Sequence, residues 1–323
     1  MKTLFDTTKL GQVTLKNRFF RAAVGEKTSD GQVNENILRL YKELAIGGAG
    51  TLITSFTLVD EAEKNFHMLA FYDDSFYEGH KALTSLAHEH GANIILQLVY
   101  VGSYVMGETT GMTILAPSAV ENLNTKVLPQ EITVKQIKVI QKKFSEAALR
   151  AKNADYDGVE IYAAHGFLLS QFMTPYYNRR TDLYGGSVEN RARMSLETYS
   201  AIREAVGADF LVLIKINAND GFKDEVAFDD VLYLCDELTK LKIDAIEISG
   251  AFGKFPQEST SYFKKEAEQI ADRSETKIIL TGGNRYFEEM TDILNHTKIE
   301  YFGMARPLMK EPNLINQFKE KML

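Results

Sequence analysis

Lys215 stands inside FLVLIKI, residues 210–216, an apolar β-type run in which an unpaired ammonium is costly to bury. It needs an anionic partner, and a structural ion pair with a carboxylate of the protein is one reading. Two glycine-bearing segments, TGGN at 281–284 and GMAR at 303–306, each end a β-type run. Their bare backbone N–H groups and one guanidinium make Gly283, Asn284, Ala305 and Arg306 a candidate phosphate cradle, although a GG pair before a helix can be only a turn. Gln97 ends NIILQL, and its amide can donate and accept at once or simply bond to backbone. His165 follows GVEIY, where an imidazole can donate to developing negative charge or be purely structural. Cys235 is the only cysteine, which excludes disulfides within the chain and multi-cysteine metal sites. It lies on the apolar stripe of DVLYLCDEL, as a buried inert thiol would. His67, His80, His88, His90 and His296 lack metal-ligand spacing and read as surface or packing residues.

Residues of this kind act only if the chain brings them together, and the pattern shows how. Eight short apolar runs rich in β-branched residues recur: FFRAAV (19–24), GTLITSF (50–56), NIILQL (93–98), GVEIY (158–162), FLVLIKI (210–216), AIEIS (245–249), KIILTG (277–282) and EYFGMA (300–305). Between them lie amphipathic helical stretches, Glu35 to Ile46, Phe76 to Glu89, Val134 to Lys152, Ser187 to Val206, Asp229 to Lys240 and Tyr262 to Asp272. This alternation specifies an α/β fold with a parallel sheet, and a (β/α)8 TIM barrel is expected. An open doubly wound sheet would normally carry GxGxxG after its first strand, whereas FFRAAV is followed by GEKTSDGQV. In a barrel, function gathers at the C-terminal strand ends, where the candidate residues lie. Residues 1–18 read as a β-hairpin around Gly11 that caps the bottom of the barrel. Residues 101–131 read as a long functional loop, and the charge run DEAEKN at 60–65 as a solvated loop.

A barrel needs about 250 residues plus insertions, so the 323 residues fit one domain spanning 1–323. At 45% hydrophobic and 25% charged residues the chain has material for a deep core, which argues against disorder. A formal net charge of −7 spread over both halves offers nucleic acid no basic face. No window approaches the apolar length of a membrane span, and the start lacks a signal peptide's apolar stretch, so a cytoplasmic location is expected. A homo-oligomer remains open.

The segment DGVEIYAAHGFLLSQFMTPYYNRRTDLYGGSVENRARMSLE, from Asp157 to Glu197, resembles the signature of the Old Yellow Enzyme family of flavin oxidoreductases. The similarity extends to LKNRFFRAA, GGAG, QLVYVG, APSAV, TGGN and MARPL in family order. It implies FMN as cofactor, NADH or NADPH as hydride donor and a small-molecule substrate. It also implies a stand-alone barrel without the iron–sulfur and second nucleotide domains of larger relatives. By the same resemblance, Gly283, Asn284, Ala305 and Arg306 hold the FMN phosphate. Gln97 meets the pyrimidine edge, Ala22 and Ala23 line the flavin edge, and Lys215 replaces an arginine facing the flavin N1 and O2 region. His165 takes the position that receives a substrate oxyanion or carbonyl. Asn178, Arg179, Asp182, Tyr184, Glu189 and Arg191 read as loop and helix-cap architecture.

Two departures bear on chemistry. Tyr162 stands where most relatives have histidine, and Phe167 where they have the tyrosine that protonates the substrate carbon. Phe has no proton to give. A third departure is Tyr100 and Val101 in QLVYVG, where a histidine is usual. The leading expectation is reduction of an activated alkene, an α,β-unsaturated carbonyl, with Tyr162, His165 and Lys215 as the catalytic set. The alternatives are electron delivery to quinone-like acceptors and a non-enzymatic flavin-binding protein.

Overall fold

The computed structural model describes residues 1–105, 109–250 and 259–321. Its eight principal strands are β1 (Phe19–Arg21), β2 (Thr51–Ile53), β3 (Asn93–Val99), β4 (Gly158–Ala163), β5 (Leu211–Asn217), β6 (Ala245–Ser249), β7 (Lys277–Thr281) and β8 (Tyr301–Met304). Each pairs in parallel with the next, and β8 pairs with β1, so the sheet closes into the expected (β/α)8 barrel. The helices α1 (Glu35–Ile46), α2 (Tyr77–Glu89), α3 (Val134–Asn153), α4 (Val188–Val206), α5 (Phe228–Lys240), α6 (Lys264–Arg273), α7 (Phe287–His296) and α8 (Leu314–Glu320) follow the strands. Local chemistry sets several boundaries. The Asn34 side chain accepts from Ile37 N–H at the start of α1, and Thr133 with Gln136 forms a capping box at the start of α3.

The six helical stretches read from the sequence correspond to α1–α6 within two residues. The first two strands end earlier than their apolar runs, because the chain leaves the sheet at Ala22 and Thr54 to build loops. The run DEAEKN is not a solvated loop. It forms a 3-10 helix, Glu61–Phe66, preceded by Asp60, and both Asp60 and Glu63 are buried. Lys143 pairs with Asp60. The Glu63 carboxylate accepts the N–H groups of Val101 at 2.8 Å and Gly102 at 3.3 Å, which fastens the base of the long loop after β3.

Strand alternation sorts the side chains into an outer shell and an interior. Val212, Ile214 and Ile216 of β5 face the helices, while Leu211 and Leu213 join the separate interior cluster with Phe20, Ile53, Ile95, Ala245, Ile279 and Tyr301. The N-terminal hairpin, Thr8–Leu10 against Val13–Leu15, turns at Gly11 with φ 52° and inserts Leu10 and Leu15 into that cluster. The Tyr301 hydroxyl donates to Thr8 Oγ1 at 3.2 Å, tying the plug to β8. Gly303 is required inside the barrel, because a side chain there would collide with Thr281 Oγ1. No helix among the described residues is long and apolar enough to cross a membrane.

Leu15 is fully buried at the closed end. Leu15→Ala is therefore expected to cost about 2–5 kcal/mol, read as a lower denaturant midpoint. Flavin binding at the far end should be unchanged below the transition; a midpoint equal to wild type would mean the hairpin is not part of the core.

Candidate active site

Above the apolar interior the same inward positions turn polar. Gln97 on β3, Glu160 on β4, Lys215 on β5, Glu247 on β6 and Thr281 on β7 are all buried. Lys215 Nζ lies 2.8 Å from Glu247 Oε1, so the anionic partner demanded by the sequence is a protein carboxylate. Gln97 Nε2 donates to Glu160 Oε2 at 2.6 Å. Gln97 Oε1, Glu160 Oε1, both Glu247 oxygens and Thr281 Oγ1 have no hydrogen-bond partner. The Lys215–Glu247 contact is a close ion pair in a fully enclosed setting. Burial, helped by the neighbouring Glu247 charge, pushes Glu160 well above the carboxylate range and keeps it protonated. Burial also opposes ionisation of Glu247, but the Lys215 ammonium outweighs it and holds that pKa low.

One layer higher, at the strand ends, Tyr162 OH meets His165 Nδ1 at 2.7 Å, and Ser249 Oγ meets His165 Nε2 at 3.0 Å. His165 and Gly166 follow β4 with φ 55° and 80°, a sharp left-handed turn. Asn217 Oδ1 accepts the His165 N–H at 3.0 Å and holds that turn. Each ring nitrogen of His165 thus has a side-chain hydroxyl neighbour in the protein. When its Nδ1 carries the proton and donates to Tyr162, the phenol proton points elsewhere, and Tyr162 becomes the available donor. His165 is only partly enclosed as a residue, yet dense surroundings and the nearby Lys215 push its pKa down to about 3. The neutral form agrees with its two uncharged partners.

Phe167 packs in an aromatic wall, with ring centroids 4.7 Å from Tyr162, 5.3 Å from Phe56 and 5.5 Å from Tyr104. Tyr100 is buried, and its carbonyl accepts the Leu168 N–H at 3.1 Å. The departures at 100, 162 and 167 thus all belong to one packed region.

On the other side of the mouth, Gly282 and Gly283 take φ 119° and 82°, which favours glycine. A side chain on Gly283 would strike Ser261 N and the Tyr262 ring, so residues 261–262 lie directly over the turn. The Asn284 side chain is structural: it donates to Leu280 O at 2.7 Å and Gly303 O at 3.0 Å. Among the described residues, the N–H groups of Gly283, Asn284 and Ala305 have no partner, and the exposed Arg306 guanidinium forms no ion pair. That donor set suits a phosphate. Ala23 N–H is also without a partner, whereas Ala22 N–H is spent on Met304 O at 3.1 Å. Ala22 can therefore contribute its small size but not its amide.

Residues 3–323 match the model of the NADH:flavin oxidoreductase / NADH oxidase family. The chain belongs to that family. FMN is the cofactor of this flavin oxidoreductase barrel. The chain is 31% identical to a metal reductase of Desulforamulus reducens, covering 98% of this chain and 48% of that protein. It is 29% identical to an NADH oxidase of Thermoanaerobacter brockii, covering 98% and 50%. It thus spans about half the length of these curated relatives. Morphinone reductase superposes with a TM-score of 0.84 at 25% identity, covering 99% of this chain and 90% of that one. A 2-naphthoyl-CoA reductase complex superposes at 0.93 with 23% identity over 99% of this chain and 52% of that one, which shows shared fold.

The residues fit FMN. Gln97 Oε1 is a buried acceptor without a donor, as an imide N–H would require, and free N–H groups end β7 and β8. Glu160, Glu247 and Ser249 were not among the residues singled out from the sequence. The first two carry the signal that exposed Lys215, a charge within an apolar run, in GVEIY and AIEIS. Asn178 and Arg191 act as read: Asn178 donates to the carbonyls of Phe172 and Tyr184, and Arg191 pairs with Asp230. Among the described residues no group of three metal-ligating side chains converges.

The unfolded chain binds an imidazole proton near pH 6.5, which folded His165 refuses until about 3. Its contribution to stability is therefore complete above about pH 6.5 and is lost as pH falls toward 3. His165→Asn should flatten that part of the denaturant midpoint against pH. A His165 imidazole resonance titrating near 6.5 in the folded protein would contradict this account.

Proposed function

We propose that the protein takes hydride from NADH or NADPH and delivers it to a conjugated carbonyl acceptor, with an α,β-unsaturated carbonyl compound as the leading class. FMN, when bound, supplies the two-electron acceptor and donor between the two half-reactions. The observation that carries the reading is the Tyr162–His165–Ser249 chain at the strand ends. In the tautomer with the proton on Nδ1, it presents the Tyr162 phenol to a carbonyl oxygen beside an aromatic wall. His165 acts through Tyr162, fixing its hydrogen-bond direction, and Ser249 fixes the imidazole. Tyr162 keeps its proton here, because burial, with the Glu247 charge nearby, pushes its pKa far up. It therefore binds oxygen as a donor rather than protonating carbon. Lys215 places positive charge beneath the mouth, where it favours the reduced, anionic cofactor. Gln97 would hold the pyrimidine edge, and Gly283, Asn284, Ala305 and Arg306 the phosphate. Phe167 favours a second reading within the same chemistry: quinones, which need no proton delivered to carbon from position 167.

Purified protein is expected to release one noncovalent FMN per chain on heating, identified by chromatography. Recovery of FAD, or failure to take up FMN, would overturn the site and the activity together.

Stopped-flow measurement of the oxidative half-reactions separates the acceptor classes. Quinones should reoxidise the protein fast and simple cyclic enones slowly. General acid catalysis is worth on the order of 100-fold to 10,000-fold, so Phe167→Tyr should raise enone turnover at least about tenfold and leave the quinone reaction nearly unchanged. Fast cyclohexenone reduction by wild type with no gain in the variant would mean another proton donor is in place.

A further inference from the structure

Behind Lys215 the barrel buries a cluster of amide, carboxyl and hydroxyl groups around one ion pair. Five buried oxygens, on Gln97, Glu160, Glu247 and Thr281, lack a hydrogen-bond partner, and two of them belong to one carboxylate. Unfilled acceptors in a site closed to water are costly. A proton entering this layer would bond to one of them.

We propose that Glu247 is a redox-linked proton acceptor: when the flavin gains negative charge, Lys215 turns its charge from Glu247 to the flavin, and Glu247 takes up one proton from solvent. This rests on the reading that Lys215 faces the flavin. The charge balance requires it. Lys215 and Glu247 are neutral as a pair, buried, with 3% and 0% side-chain exposure, so one added negative charge would stand uncompensated at low dielectric. The balance of the step is complete. The nicotinamide loses hydride, two electrons and one proton, to the flavin, and leaves oxidised. A solvent proton forms a new O–H bond on Glu247, and Lys215 keeps all its protons. On reoxidation the hydride leaves for the acceptor and the Glu247 proton is released.

The surrounding groups leave Glu247 as the acceptor. From β3, Gln97 does not titrate. From β4, burial and the Glu247 charge keep Glu160 already protonated, and Tyr162 holds its proton. From β5, Lys215 supplies the compensating cation, and from β7 Thr281 offers only a hydroxyl. Above the layer, His165 is desolvated and pushed to about 3, so it does not hold a proton in competition. Glu247 is the carboxylate of this layer held ionised, and it faces the Lys215 ammonium at 2.8 Å.

Reduced-minus-oxidised infrared difference spectra of the FMN-loaded protein should gain a protonated-carboxyl C=O band that shifts in D2O. Glu247→Gln should lose it, while Glu160→Gln should keep it. Redox titrations on the alkaline side of neutrality should show two protons taken up per two electrons in wild type and one in Glu247→Gln. A wild-type spectrum without a new carboxyl band needs no variant and overturns the proposal, as does a band that survives in Glu247→Gln. Lys215→Met separates the two levels of argument. If it lowers the potential while wild type takes up only one proton, the proton acceptor is wrong and the flavin-facing lysine stands. If its potential equals wild type, the flavin-facing lysine itself is wrong.

Discussion

Closing eight parallel strands into a ring forces every second side chain into a space with no exit except the two ends. Everything about this molecule follows from what fills that space. The lower positions are apolar and sealed by the hairpin through Leu10 and Leu15. The upper positions are Gln97, Glu160, Lys215, Glu247 and Thr281, a polar layer that no helix can reach and that only the mouth can serve. The interior is thus divided along the barrel axis into a half that holds the fold and a half that does chemistry.

The polar half is an electrostatic compromise. A buried ion pair gives little net stability, because desolvation offsets most of the attraction. Retaining Lys215 opposite Glu247, with a protonated Glu160 beside them, is better understood as storage of charge that can be redistributed. The layer above has the opposite character. Tyr162, His165 and Ser249 are uncharged and mutually hydrogen-bonded, and the tight turn at His165 and Gly166 fixes their directions. One layer can change its protonation while the other keeps its geometry. Phe167 and its aromatic neighbours add a surface that offers shape without acidic protons.

Much of this was legible in the sequence, and what was missed has a common cause. Strand and helix periodicity located the barrel, and the burial cost of one ammonium singled out Lys215. That same cost applies to Glu160 and Glu247, whose runs GVEIY and AIEIS are equally apolar. Partners across strands were not legible, because they depend on register: His165 meets Ser249 across 84 residues of sequence. The hydroxyl neighbours of both imidazole nitrogens followed from that contact and were not readable from HGF alone. Glu63 shows the same limit. A carboxylate in DEAEKN reads as solvated until the unpaired N–H groups of Val101 and Gly102 are brought to it from 38 residues away.

The hairpin plug also constrains the order of assembly. Residues 8–15 leave the ribosome before any barrel strand, yet Leu10 and Leu15 are buried only against residues drawn from Phe20 through Tyr301. The bond from Tyr301 to Thr8 cannot form until the last strand has joined the first. An early segment thus depends for its full native packing on contacts that only the last strand completes. Contacts so distant in sequence are slow to form.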